Sequence, residues 1–222
     1  MVVMRFEYKV AMEKFHIKTL GTFLMALTLL LCVYFVGRSA GPKTIQSYIE
    51  PDEYLIYSAF VSQFAYRART KLVVIAEKTM GQDSWEFKYN DEDWGEQKRK
   101  LIHEMHLLKR GTLDDFYNKN KNRQRYQLSN DFHLQMKYLL VDDQKQIENL
   151  KRGSDWENFY RHYPDSQGLM FLSRVGFNRA KDQALMYFSN RSSVDGGGGE
   201  YLMFLKIKGR WKEKARMNLW IS

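Results

Sequence analysis

The chain has 222 residues, of which 44% are hydrophobic, 15% aromatic and 27% charged, the balance of a globular protein rather than a disordered one. Its formal charge of +9 comes from Lys and Arg interleaved with acids along the whole length, the pattern of a solvated surface, so no nucleic-acid partner is expected. A single cysteine, Cys32, excludes an internal disulfide framework and any cysteine-based zinc site.

Residues 1–18 alternate basic positions (Arg5, Lys9, Lys14, Lys18) with apolar ones (Phe6, Val10, Phe15, Ile17) and are read as a cytoplasmic basic tail. Residues 19–36, TLGTFLMALTLLLCVYFV, carry no charge and as a helix span about 27 Å, close to the ~30 Å hydrocarbon thickness of a bilayer. A transmembrane helix over 19–37 is therefore expected. Lys14 and Lys18 precede it, and the excess of positive charge on that side predicts a single-pass signal-anchor of the bacterial inner membrane, N terminus inside and C-terminal domain outside the cytoplasm. The alternative is a secreted chain after signal cleavage. Gly37 and Ser39 supply the small residues that cleavage needs, but the apolar run exceeds a usual signal core. The expected partners are the lipid bilayer, through this helix, and an envelope protein; no cofactor is expected.

Residues 38–48, with Gly41 and Pro42, read as a tether to an extracytoplasmic α+β domain over 49–222. Pro51 and Asp52 open a helix over 53–67, with Glu53 favourable in its first turn. LVVIA at 72–76 reads as a buried strand and 81–94 as a loop. A helix over 96–109 stops at Gly111, and Thr112 caps a short helix holding Asp114, Asp115 and Phe116. Beyond the basic connection 118–125, a strand is expected at 137–141, a helix at 142–150, and a helical turn or two after Ser154. Four strands are expected over 169–177, 184–188, 201–207 and 211–221, and in the last of them Ala215, Met217, Leu219 and Ile221 alternate with Lys214, Arg216, Asn218 and Trp220, the period of a sheet with one wet face. The expected fold is one N-terminal transmembrane helix followed by a helical region packed on a C-terminal four-stranded antiparallel meander.

WENFYRHYPDSQGLMFLSRVGFN, then QALMYF, a Gly-rich turn, YLMFLKIKGRW and the terminal LWIS resemble a group of uncharacterised bacterial exported proteins. The likeness covers residues 156–222. It implies a bacterial origin and an envelope location, and supplies no catalytic residue, because the group has no assigned activity. Its members often carry cysteines near the Gly-rich turn, and this chain has none there.

Each candidate for chemistry has a plainer rival. His103 and His106 (HEMH) share a helix face and could ligate a metal, with His133 or Glu104 to complete the site. The zinc-protease signature spaces its histidines four apart, so exposed surface histidines are the plainer reading. Trp156 and Tyr160 could line a groove for peptide or glycan, or could pack their helix on the sheet. Arg174 interrupts an apolar strand and is a candidate ligand contact, or a residue of the wet face. The 196–199 glycines lack the lysine and helix of a phosphate loop and read as a hairpin turn. No G-x-S-x-G is present. The sequence thus favours a membrane-tethered binding or interaction domain of unknown ligand. A hydrolase assembled from distant residues and an accessory subunit of a membrane complex are the alternatives.

Overall fold

Pro51 presets the dihedral of a first helical turn, and α1 (Pro51–Ala68) begins on it. Ile56, Tyr57, Phe60, Val61 and Ala65 are buried at helical spacing, so α1 turns one stripe to a core. The helix closes at Arg69, which adopts the left-handed conformation (φ 54°) and turns its N–H back to the last carbonyls. In a computed structural model of the chain, residues 48–81, 91–142, 145–146 and 156–222 are described.

β1 (Leu72–Ala76) is buried at every position, which suits a strand with neighbours on both edges and cover on both faces. After it come α2 (Asp91–Glu104), α3 (Arg110–Asn120), β2 (Lys137–Val141) and α4 (Trp156–His162). Five strands complete the chain: β3 (Ser166–Leu172), β4 (Gly176–Phe177), β5 (Gln183–Arg191), β6 (Gly197–Ile207) and β7 (Arg210–Ile221). They form one seven-stranded sheet in the order β2-β1-β3-β5-β6-β7, with β4 also paired to β5. β2 and β3 flank β1 in parallel, and the rest of the sheet is antiparallel.

This sheet overturns the expected four-stranded antiparallel meander. Strands are expected at 72–76 and 137–141, but β1, buried at every position, carries no period-2 signal to show that it joins the C-terminal strands, and β2 enters the same sheet by pairing with β1 at its edge. The predicted strand over 169–177 is also two strands, broken at Ser173–Val175. Two cores lie on opposite faces. One packs α1, Tyr126, Leu128 and Phe132 on Val73, Met170, Met186, Phe188 and Phe204. The other packs Trp94 and Leu101 of α2, Phe116 of α3 and Phe159 of α4 on Val74, Phe171, Tyr187, Tyr201 and Met203.

Among the described residues no helix is long and apolar enough to cross a membrane, against the expectation of a transmembrane, single-pass membrane protein. The longest, α1, carries Asp52, Glu53 and Arg67 and is apolar on one face only. The run at 19–37 from which that expectation was read lies outside the described residues, as do the tail 1–18 and most of the predicted helix 142–150.

Candidate functional site

Residues 173–178, SRVGFN, run through the break at Ser173–Val175 and across β4, just past the carboxyl end of a parallel strand. In open α/β sheets that crevice is where ligands bind. Here the chain fills it with its own arginine. Arg174 is 2% exposed and its guanidinium donates to both oxygens of Glu53 over 2.6–3.1 Å. It stacks on the Tyr126 ring at 4.3 Å. Glu53, fully buried, also accepts the Val175 N–H at 2.8 Å and the Glu50 N–H at 3.4 Å. Burial opposes the arginine's charge, but the bonds to Glu53 prevail and raise its pKa. Burial, then the neighbouring Glu53 charge, pushes the Tyr57 hydroxyl well above its ordinary value; that hydroxyl donates to the Ser173 carbonyl at 2.8 Å.

The other residues of the block are equally committed. Asn120 of α3 accepts the Arg174 N–H and donates to its carbonyl, at 2.9 and 3.0 Å. Gly176 lies so close to α3 that a Cβ there would sit 2.3 Å from the Phe116 nitrogen. Asp115 accepts the Phe177 N–H at 2.8 Å. Asn178 closes the β4–β5 turn by accepting the N–H groups of Asp182 and Gln183, both at 3.1 Å. Gln183 in turn accepts the Lys109 N–H (2.7 Å) and the Thr112 hydroxyl (2.8 Å), capping the start of α3 in place of the expected Thr112. Around this core runs an outer ring of charge. Lys181 bridges Glu50 (3.1 Å) and Asp52 (2.7 Å), while Lys119 bridges Glu50 (3.1 Å) and Asp115 (3.2 Å). Burial would raise the Glu50 carboxyl, but Lys119 and Lys181 together hold it below its ordinary value. The bond from Lys109 lowers Asp182 likewise.

Residues 173–178 are therefore a structural junction, tying α1 on one face of the sheet to α3 on the other. Arg174 is spent on Glu53. Tyr160 donates its hydroxyl to the Ser192 carbonyl at 2.8 Å and pins the β5–β6 turn. Trp156 packs edge-on against buried Phe159 at 5.2 Å. His103 and His106 stand exposed with ring centres 6.3 Å apart. No group of three or more His, Cys, Asp or Glu among the described residues could hold a metal ion, and His133 sits elsewhere, on the connection into β2.

Two concavities flank the carboxyl half of α1. The smaller, about 300 Å³, has an apolar floor of Phe60, Phe64 and Phe188. Its charges neutralise one another: Arg216 bonds Glu200 at 2.8 Å and Glu213 at 2.7 Å, and Arg67 lies 3.9 Å from Glu213. The larger is an open cleft of about 910 Å³ between the end of α1 (Ala65, Tyr66, Arg67, Arg69) and the connection 133–136 (His133, Met136). No carboxylate lines it among the described residues. Among the described residues the Arg69 side chain has no hydrogen bond or ion pair. The His133 N–H donates to Ser58 of α1 at 2.8 Å, which fixes one wall to the other. Sequence reasoning missed this cleft entirely. The one available signal was a helical pattern that stops at Arg67 without a glycine to stop it.

No protein-family model, curated protein or solved structure matches the chain.

Proposed function

We propose that the folded unit over 47–222 is a binding domain whose ligand enters the cleft beside the last turn of α1. The observation that carries this reading is the contrast between two arginines. Arg174 lies buried past the carboxyl end of β3 and is consumed by Glu53, whereas Arg69 lines the larger of the two concavities beside α1 with no partner for its guanidinium among the described residues. The cleft volume falls in the range of small-molecule sites, and its lining mixes an aromatic ring, a thioether and cationic groups. The hydrolase alternative gains nothing from this lining, since among its described residues no carboxylate stands to orient His133 as a triad requires. An extracytoplasmic location belongs to the same proposal and rests on the charge order flanking residues 19–36.

The test is a melting scan of the full chain against small anions, cations, sugars and short peptides. A ligand at 100 times its Kd adds about 2.7 kcal/mol, which in a protein of this size raises Tm by roughly 5–11 °C. The Ser62→Trp variant, which fills the cleft from an exposed position, should abolish that shift. A shift that survives Ser62→Trp, or a flat response throughout, would remove the cleft as the binding site.

A further inference from the structure

Resting on that reading of the cleft, we infer that its ligand presents an oxyanion, a carboxylate or phosphate group, to Arg69. Two arginines and one histidine line the cleft, with no acidic residue among the described residues of its lining. Neighbouring cations are already drawn elsewhere: Arg67 faces Glu213 at 3.9 Å and Lys71 faces Asp165 at 3.7 Å. Arg69 alone of these keeps its charge for a visitor, and a planar guanidinium matches the two oxygens of a carboxylate or phosphate.

The backbone beneath Arg69 points the same way. Its left-handed conformation closes α1, a place where glycine is the ordinary residue because it bears no Cβ. Three other described residues with side chains share that conformation, Asp165, Lys181 and Lys208. Lys181 is held by Glu50 and Asp52, Asp165 faces Lys71, and Lys208 opens a tight turn with Gly209. Arg69 carries its strain with no internal use for its side chain.

The end of a helix ordinarily repels anions through its free carbonyls. Here the N–H groups of Arg69 and Thr70 already cover the carbonyls of Ala65 and Tyr66, and the Thr70 hydroxyl donates to the Asp165 carbonyl at 2.6 Å. Tyr66 is 86% exposed at the rim, beside Ala65 and Met136, and offers a face for the ligand's apolar body.

The experiment titrates the full chain with four probes of one shape: benzoate, phenyl phosphate, benzyl alcohol and benzamidine. Melting shifts are read for the natural chain and for Arg69→Gly and Ser62→Trp. Benzoate or phenyl phosphate should bind, the preferred one naming the source of the oxyanion, and Arg69→Gly should weaken that probe at least tenfold. The same variant should melt roughly 2–4 °C higher without ligand, because glycine relieves the left-handed strain. A merely structural arginine would give the opposite pattern, lower melting with unchanged affinity. If only benzyl alcohol or benzamidine binds, and Ser62→Trp removes it, the cleft reading stands and the oxyanion inference falls. If no probe shows a shift that Ser62→Trp abolishes, both fall.

Discussion

Replacing Arg174 by methionine should be among the most destabilising single changes in the chain. The substitution keeps an apolar stem over Tyr126 but leaves the Glu53 carboxylate fully buried with no cation. Two backbone N–H bonds, from Val175 and Glu50, remain to it, and they do not neutralise its charge. Removing one partner of a buried ion pair costs about 3–5 kcal/mol. At roughly 2–4 °C per kcal/mol for this size, Tm should fall by roughly 6–20 °C, read by near-ultraviolet circular dichroism with a urea titration to check the slope. Adding Glu53→Gln to Arg174→Met removes the stranded charge, so the double variant should lose about 2 kcal/mol less than the sum of the singles. A loss below about 1 kcal/mol for Arg174→Met, or strictly additive variants, would refute the view that these groups stabilise each other in isolation from water. The result also bears on function: an arginine kept for ligand would lose binding with little change in melting.

Gly199→Ala would place a Cβ 2.0 Å from the Tyr187 oxygen and 2.4 Å from the Trp220 nitrogen, which share a 2.8 Å hydrogen bond. It should cost about 1–3 kcal/mol in urea unfolding, whereas Gly198→Ala, with its nearest atom at 3.5 Å, should stay within about 0.5 kcal/mol. Gln183→Ala deprives Lys109 N–H and Thr112 hydroxyl of an acceptor and the Leu107 carbonyl of a donor. It should cost about 1–3 kcal/mol, and hydrogen exchange should quicken in the first turn of α3; an unchanged exchange pattern would contradict the cap. Glu50 and Asp182 have folded-state pKa values below their ordinary 4.5 and 3.8, so the stability they contribute is present above those values and lost as pH falls through the lowered ones. Lys181, raised above 10.5 by its bonds to Asp52 and Glu50, loses its contribution as pH climbs beyond that value. Urea midpoints followed across pH should therefore drop at both extremes, and Glu50→Gln should flatten the acid limb; a midpoint that rises on acidification would be incompatible with these pairs.

Much of the local structure was legible because it rests on neighbours in sequence. Pro51 before an apolar stripe announces α1, and five apolar residues, three of them β-branched, announce β1. What could not be read depends on distant partners. Glu53 looks like an ordinary first-turn acid, and only the folded sheet brings Arg174 to it from 121 positions away. Parallel pairing of β1 with β2 and β3 leaves no alternation to detect. The Gly-rich segment looked like a turn because its residues lack side chains. In the fold, three of those glycines are strand, and Gly199 must stay bare under Tyr187 and Trp220. The cleft was hidden for a related reason: Arg69, Tyr66 and His133 are unremarkable in sequence and meet only where a helix end passes a connection.

The distance between Glu53 and Arg174 also sets a schedule. At about 5–20 residues per second, a ribosome that has made Glu53 needs roughly 6–24 s to reach Arg174. Throughout that interval the apolar stripe of α1 has no sheet to cover it, since Met170, Met186, Phe188 and Phe204 are still unmade or only just emerging. The first helix of the domain is thus one of the last to be buried, and its exposed Phe60 and Val61 are a natural landing place for a chaperone.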